Sequence, residues 1–506
     1  MVSSSFQETT ILGVVGTGTM GRGIVQIAAA KGIKVLLFDI REEAIQEAIA
    51  DIKSKFDMLV EKGRMDAGEA DMAKASLVAT NDINDFSQCT VVVEAIVEKT
   101  EAKISLFRQL DDIVSDDCIL ATNTSSLSVT EIQAGTRLPG RVAGFHFFNP
   151  VPVMKIVEVI GGIRTEQSVV DTLQKLGEFC GHYAPVVKDA PGFIVNHAGR
   201  AFGTEALRIL GEGIAETVDV DRTLGDLAHF KIGPFGLLDL VGIDISHAVM
   251  ESIYGQFYQE PRYRPSYITK QYVMAELKGR KTRQGFYRYE GNRPLWDEEI
   301  PVTTGEKTAI WLGAVTHAKD KIEALLNDAG WSIDTADSPS DSSIILLTPI
   351  GKDVTTTAVE GNYPAERCIG IDSIFSFESR VCLMSSPVTT DAVKQSAQFA
   401  FSSAGRKVTM INDSPGFIAQ RIVAHIVNIG SDIAQQRIAS PADVNRAVKM
   451  GLGYPFGPLE FGDNIGPKII LTILENLYDF YGDPRYRPSP WLKRRAMLGV
   501  SLDTEE

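Results

Sequence analysis

A chain of 506 residues is too long for one hydrophobic core, which stops growing at roughly 250–300 residues, so several domains are implied. Hydrophobic residues make up 44% and charged residues 23%, ordinary for a globular protein, and no apolar run approaches the ~20 residues of a membrane-spanning helix. A formal net charge of −15 without a local basic patch argues against nucleic acid as a partner; a phosphate-bearing small ligand stays compatible, because a helix N-terminus and a few cations bind phosphate locally.

The first residues, Met1-Val-Ser-Ser-Ser-Phe-Gln-Glu-Thr-Thr10, lack the charged and apolar regions of a secretory leader, so no export is expected. Five scattered cysteines (Cys89, Cys118, Cys180, Cys368, Cys382) form no C-x-x-C pair and no zinc-spaced cluster. They read as reduced thiols of a cytoplasmic protein with no metal site.

Strand Ile11–Val15 leads directly into Gly16-Thr-Gly-Thr-Met-Gly21 and a helix through Gly21–Lys31. That context turns a weak G-x-G-x-x-G pattern into a dinucleotide fingerprint: Gly16 permits the tight turn, Gly18 lets the backbone approach a pyrophosphate, and Gly21 lets helix and strand pack closely. Thr19 and Met20 complete the cofactor loop at the helix N-terminus, whose dipole attracts phosphate. The next strand, Val35–Phe38, ends on Asp39, placed to bind the adenosine ribose hydroxyls and to repel a 2′-phosphate. NAD is therefore favoured over NADP, although Arg41 is a residue type that could accept that phosphate.

Helices across Glu42–Gly63 follow, then strands Val91–Ala95, Ile119–Thr122, Val142–Phe147 and Ile156–Ile160. This alternation is that of a doubly wound, Rossmann-type α/β domain, assigned to residues 1–188. His146 sits at the C-terminal end of its strand, where α/β sheets place their ligands. Glu158, among apolar neighbours in the following strand, needs a partner, and an imidazole supplies one. The pair suits His146 to take a proton from an alcohol as hydride leaves the same carbon, and to return it in reverse.

Residues 189–290 show helical periodicity, for example Ile194, Ala198, Ala201, Phe202, Ala206, Ile209 and Leu210. Three of their segments recur in order in residues 412–506: Lys188–Asn196 as Asn412–Gln420, Pro234–Asp239 as Pro455–Glu460, and Pro261–Ser266 as Pro484–Ser489, at offsets of 221–224 positions. This is an internal duplication of an all-α domain, and the two copies are expected to pack on one another. Between them, residues 291–411 read as a polar linker, Gly291–Gly305, and a degenerate, shortened α/β segment with leftover strands near Thr308–Ala314 and Ser343–Thr348. Laid on the first half, the second puts Asp372 at the His146 position, Leu383 at Glu158 and Gln420 at Asn196, so no second active site is expected.

Gly16–Gly21, Glu94-Ala-Ile-Val-Glu98, Asn123-Thr-Ser-Ser-Leu127, His146-Phe-Phe-Asn-Pro150, Glu158, Asp189–Asn196 and Gly279-Arg-Lys-Thr-Arg-Gln-Gly-Phe-Tyr287 together resemble the 3-hydroxyacyl-CoA dehydrogenase family, densely over residues 10–290. The resemblance implies NAD-dependent, reversible oxidation of a (3S)-hydroxyacyl-CoA to the 3-ketoacyl-CoA. It makes His146 the base and acid, Glu158 its partner, and Ser125 and Asn196 the holders of the substrate oxygen; Glu98, Lys103, Asn123 and Asn149 go to the cofactor side. From the residues alone, Ser125 could equally be a helix cap and Asn196 could face solvent.

CoA is expected in a cleft between α/β and helical domains, its phosphates met by Lys53, Lys55, Lys62 and Arg64, although a solvated charged face is an equal reading of each. The domain order resembles long bacterial 3-hydroxybutyryl-CoA and 3-hydroxyadipyl-CoA dehydrogenases of acyl-CoA and aromatic-acid (phenylacetate-type) catabolism. Short members of the family dimerise through the helical domain, so the second copy reads as a built-in partner, in either a monomer with an internal pseudo-dimer or a homodimer. Two other readings are a 3-hydroxyacid dehydrogenase without CoA, disfavoured because those rely on a lysine, and a structural, crystallin-like NAD-binding protein, disfavoured by the intact His146/Glu158 pair.

Overall fold

Eight short apolar segments pair into one sheet in the computed structural model, which describes residues 10–505. They are β1 (Ile11–Val15), β2 (Lys34–Phe38), β3 (Leu77–Ala79), β4 (Val91–Glu94), β5 (Ile119–Thr122), β6 (Val142–Phe147), β7 (Val157–Gly161) and β8 (Val186–Lys188). The strand order is β3-β2-β1-β4-β5-β6-β7-β8, with β1 to β6 parallel and the β6–β7 pair antiparallel. Runs such as Val91-Val-Val are apolar without alternation because both faces are covered. Leu12, Val14, Val91 and Val93 pack with Ile24, Ile45, Ile52 and Leu173 on one face, while Val15, Val92 and Leu120 pack with Phe86, Phe107, Leu110 and Ile132 on the other. The doubly wound domain expected from the sequence is present.

The chain is compact in two units. One comprises the described residues up to His197 together with Arg437–Leu452; the other comprises Ala198–Gln436 and the residues from Gly453 onward. The segment Arg437–Leu452, which sequence similarity places in the second helical copy, thus belongs with the eight-stranded sheet.

In the second unit a hairpin, β9 (Arg288–Glu290) and β10 (Arg293–Leu295), opens the polar stretch between the two halves. A six-stranded sheet follows: β11 (Ile310–Trp311), β12 (Ile333–Asp334), β13 (Ile344–Leu347), β14 (Cys368–Ile371), β15 (Arg380–Ser385) and β16 (Lys407–Asn412), ordered β12-β11-β13-β14-β15-β16. β14 and β15 are its one antiparallel neighbouring pair, matching β6 and β7. The duplication therefore reaches back through a shortened α/β domain. A loop carboxylate is repeated as well: Asp189 accepts from the backbone N–H groups of Val129 (3.1 Å) and Thr130 (2.7 Å), and Asp413 from those of Val354 (2.8 Å) and Thr355 (3.1 Å).

The helical copies meet within this unit through a buried ion network. Glu205, on helix Arg200–Gly211, accepts from Arg421 Nη2 (2.8 Å), Arg485 Nε (2.8 Å) and the Tyr486 hydroxyl (2.8 Å). Burial alone would raise the Glu205 pKa, but the two guanidinium groups outweigh it and hold the carboxyl well below its usual range. The repeated Pro-Arg-Tyr-Arg-Pro turns exchange bonds nearly symmetrically: Arg262 Nη2 donates to the Arg487 carbonyl (2.6 Å), and Arg485 Nη1 to the Arg262 carbonyl (3.0 Å).

All five cysteines are buried and unpaired, and burial pushes the thiols of Cys89, Cys118, Cys180 and Cys368 up to about 12. Among the described residues no helix is long and apolar enough to cross a membrane. The leader reading concerns Met1–Thr10, of which only Thr10 lies within the described residues.

Candidate active site

The three fingerprint glycines differ in what surrounds them. Gly16 has φ +99°, and a Cβ there would lie 2.5 Å from the Ala95 carbonyl oxygen; a Cβ on Gly21 would lie 1.9 Å from that of Gly16. Both are demanded by the protein's own packing. Gly18 has φ −68°, and a Cβ there would meet nothing within 4 Å. Nothing in the chain therefore excludes a side chain at Gly18, and the space beside it opens at the N-terminus of helix Thr19–Ala29, where Thr19 and Met20 form the first turn. A dinucleotide pyrophosphate fits that place. The helix starts at Thr19 rather than at Gly21, so Gly21 packs from inside its first turn.

Asp39 follows β2 and is tied to the fingerprint loop: its Oδ2 accepts from the backbone N–H and hydroxyl of Thr17, both at 2.9 Å, and its Oδ1 from the Arg41 N–H at 3.1 Å. Partial burial raises its pKa, but these hydrogen bonds and the Arg41 charge prevail, and the carboxyl sits below its ordinary value. Thr17 escaped the sequence reading because the glycine pattern treats it as a spacer.

At the ends of β4 and β5 the carboxylates organise the chain rather than stand open. Glu94, fully buried, accepts from Lys103 Nζ (2.6 Å), the Thr122 hydroxyl (2.6 Å) and the Ile96 N–H (2.7 Å). Lys103, 1% exposed, also pairs with Glu98 at 3.1 Å. Glu98 Oε1 accepts from the Thr124 hydroxyl (2.6 Å) and the Ser125 N–H (2.9 Å), and burial of Glu98 is outweighed by Lys103 and these donors, so its pKa is lowered. Lys103 is thus the internal counter-ion of this loop, its ammonium held between two carboxylates. Glu94 could have been found by the argument that found Glu158, a carboxylate in an apolar strand. Asn123 Oδ1 accepts from the Phe147 N–H at 2.9 Å, linking the loop to β6. Asn149 is exposed and precedes a cis peptide bond to Pro150.

His146 and Glu158 are register partners across β6 and β7. His146 Nδ1 lies 2.7 Å from Glu158 Oε2, and Glu158 Oε1 accepts from the N–H groups of Ile194 (2.9 Å) and Val195 (3.0 Å). Both side chains are buried. Those two N–H groups converge because Gly192 and Phe193 are successive left-handed residues, with φ +78° and +52°. A left-handed phenylalanine costs about 1–3 kcal/mol, and Phe193 is held by its burial against the His146 ring, with centroids 5.7 Å apart. An ionised Glu158 accepts only, so the proton on Nδ1 points at it and leaves the Nε2 lone pair for another proton. Asn196 Nδ2 donates to the Ser125 carbonyl at 3.3 Å, so those two candidates are brought together.

The second α/β domain keeps this backbone without its chemistry. Gly416 and Phe417 repeat the left-handed pair, with φ +82° and +50°. The register aligns Ile371 with Leu383, so the residue across from Asp372 is Cys382, whose carbonyl accepts from the Asp372 N–H at 3.0 Å. Cys382, not Leu383, therefore occupies the Glu158 position. Asp372 is bonded to Gln420 Nε2 at 3.0 Å, and burial pushes its carboxyl up to about 6. Gln420 also accepts from the Gly351 N–H at 2.9 Å.

Of the candidate phosphate cations, Lys53, Lys62 and Arg64 are exposed, on or just beyond helix Glu42–Glu61, while Lys55 pairs with Asp51 at 2.7 Å.

The 3-hydroxyacyl-CoA dehydrogenase NAD binding domain matches residues 11–190, and the 3-hydroxyacyl-CoA dehydrogenase C-terminal domain matches residues 192–289 and again 416–501. The chain is 35% identical over 487 residues to a 3-hydroxyadipyl-CoA dehydrogenase of Escherichia coli K12, covering 96% of this chain and 97% of that one. It is 38% identical to a 3-hydroxybutyryl-CoA dehydrogenase of Clostridioides difficile, over 55% of this chain and 99% of that one. The crystal structure of a 3-hydroxybutyryl-CoA dehydrogenase from Escherichia coli K12 superposes with TM-score 0.85 at 33% identity, covering 97% of this chain and 99% of that one. With both domains matched and nearly the whole chain aligned, the protein belongs to the 3-hydroxyacyl-CoA dehydrogenase family and is an NAD-dependent oxidoreductase.

Proposed function

We propose that the protein reversibly oxidises a (3S)-hydroxyacyl-CoA to the 3-ketoacyl-CoA, with His146 as general base and acid. The observation that carries this reading is the three-donor arrangement around Glu158, which holds the His146 ring with Nδ1 engaged and Nε2 available. NAD⁺, held by Gly16–Gly21 and Asp39, supplies the hydride acceptor. His146 takes the hydroxyl proton through Nε2, and Glu158 stabilises the imidazolium that results. Ser125 and Asn196 hold the substrate oxygen, and the loop carboxylate Glu98 keeps Ser125 in place through its N–H. Glu98, Lys103, Asn123 and Asn149 belong to the cofactor side, Lys103 acting by fixing Glu98.

The names of the relatives support a substrate with a short acyl chain or one ending in a carboxylate; the setting of this reading is acyl-CoA or aromatic-acid catabolism in the cytoplasm. Lys53, Lys55, Lys62 and Arg64 are assigned to the CoA phosphates, and the second half to the role that a partner subunit plays in short members. The second half carries no second reaction, since Asp372 and Cys382 stand where His146 and Glu158 stand in the first, and Gln420 is bonded to Asp372 and the Gly351 N–H. Following NADH absorbance with acetoacetyl-CoA tests the reaction. Comparing 3-hydroxybutyryl-CoA with 3-hydroxyadipyl-CoA tests the tail, and a wild-type protein inactive on all three refutes the proposal.

A further inference from the structure

The compact unit that carries His146 and Glu158 includes one piece of the duplicated half, Arg437–Leu452, and that piece touches the supports of Glu158 on two sides. On one side is Val195, whose N–H donates to Glu158 Oε1. Helix Pro441–Leu452 brings Gly451 against it so closely that a Cβ on Gly451 would lie 2.7 Å from Val195 Cγ1 and 2.9 Å from Cγ2. Both atoms sit on a β-branched side chain one bond from Cβ, so they cannot swing away cheaply.

On the other side is Tyr183, beside the start of β7. Its carbonyl accepts from the Val157 N–H at 2.9 Å and its N–H donates to the Lys155 carbonyl at 2.8 Å. The same helix grips this residue twice: the Tyr183 hydroxyl donates to Asp443 Oδ1, and the Arg446 guanidinium lies 3.9 Å above its ring. Asp443 is itself fixed by the Ser440 hydroxyl at 2.7 Å. Just before the helix, the Ile438 carbonyl accepts from the Lys188 N–H of β8 at 2.9 Å. One rigid helix thus bears on the backbone ahead of Glu158 in β7 and on the loop that donates to it.

We propose that helix Pro441–Leu452 is a positioning element for the His146–Glu158 pair, acting through Gly451 on Val195 and through Asp443 and Arg446 on Tyr183. The proposal rests on the assignment of His146 as the base. Displacing Val195 by a few tenths of an ångström lengthens a bond to Glu158 Oε1 and frees the carboxylate to turn away from His146 Nδ1. Turnover then falls although no residue touching substrate has changed. Glycine has a reason to be at position 451 that helix formation does not give, since alanine is the better helix former.

The test is Gly451→Ala in the full chain, with Tyr183→Phe as a second variant that removes the Asp443 bond and keeps the ring. Expected in both, assayed in the oxidation direction with 3-hydroxybutyryl-CoA and NAD⁺, is unchanged NADH affinity, kcat lowered by about tenfold, on the scale of small misplacements, and an acid limb of the kcat–pH profile moved to lower pH. The limb moves because a loosened carboxylate stabilises the imidazolium less. Wild-type kcat with a wild-type pH profile, in whichever of the two variants folds, overturns the proposal. Failure of the underlying assignment is seen separately, as wild-type turnover in His146→Gln.

Discussion

His146 and Glu158 stand directly opposite each other across the antiparallel strands β6 and β7, with Nδ1 2.7 Å from Oε2. Replacing Glu158 by glutamine keeps an oxygen for the Ile194 and Val195 N–H groups but turns an amide NH2 toward His146. The ring must then accept at Nδ1, which moves its proton to Nε2 and leaves it unable to act as a base. Turnover should fall by about 10³–10⁴-fold with the fold intact, as for comparable wrong-tautomer substitutions. Steady-state kinetics alongside circular dichroism check this.

Gly18→Ala separates cofactor binding from folding. With no protein atom within 4 Å of the added methyl group, the cost is that of a poorer helix cap, at most about 1 kcal/mol. NADH binding, followed by fluorescence titration, should weaken by an order of magnitude or more, because the methyl group enters the pyrophosphate's place. Gly21→Ala, whose Cβ would meet the Gly16 carbonyl at 1.9 Å, should instead lower thermal stability.

Asp39→Ala should weaken NADH binding and raise the NADPH-to-NADH preference, since it removes the carboxylate that repels a 2′-phosphate while Arg41 remains. Thr17 loses both of its bonds to Asp39 in the same variant, so part of the loss comes from a looser fingerprint loop. Paired titrations with the two cofactors resolve the preference.

Glu205→Gln should destabilise the protein by about 3–5 kcal/mol, because it leaves Arg485 buried with a neutral partner and Arg421 with Glu212 as its one remaining carboxylate. The pH sign follows from the lowered folded-state pKa: the carboxylate's contribution is complete above its ordinary 4.5 and is lost as pH falls toward the folded value. Urea midpoints of the variant should therefore depend less on pH below 4.5 than those of the wild type.

Much of the site was legible in the sequence. The glycine fingerprint and the carboxylate in an apolar strand each state a local requirement, and the structure has Gly16 in the tight turn, Gly21 in close helix–strand contact and Glu158 paired with His146. What was not legible depends on pairing between segments. The Leu383 assignment slipped by one residue because the duplicated strands are too weakly similar to fix a register, whereas the β14–β15 ladder sets Cys382 across from Asp372. In sequence Lys103 is placed on the cofactor side by resemblance alone, and only the fold shows it between Glu94 and Glu98. Likewise, duplication reveals that Arg437–Leu452 is helical and related to an earlier segment, but not that it is compact with the nucleotide-binding sheet.

The most direct test of the account is the turnover of His146→Gln with acetoacetyl-CoA and NADH, measured beside its NADH affinity. Loss of kcat by about 10²–10⁴-fold, the usual contribution of a general acid or base, with cofactor binding kept, is the predicted result. Turnover close to wild type would contradict the assignment of His146 as the proton-transferring residue.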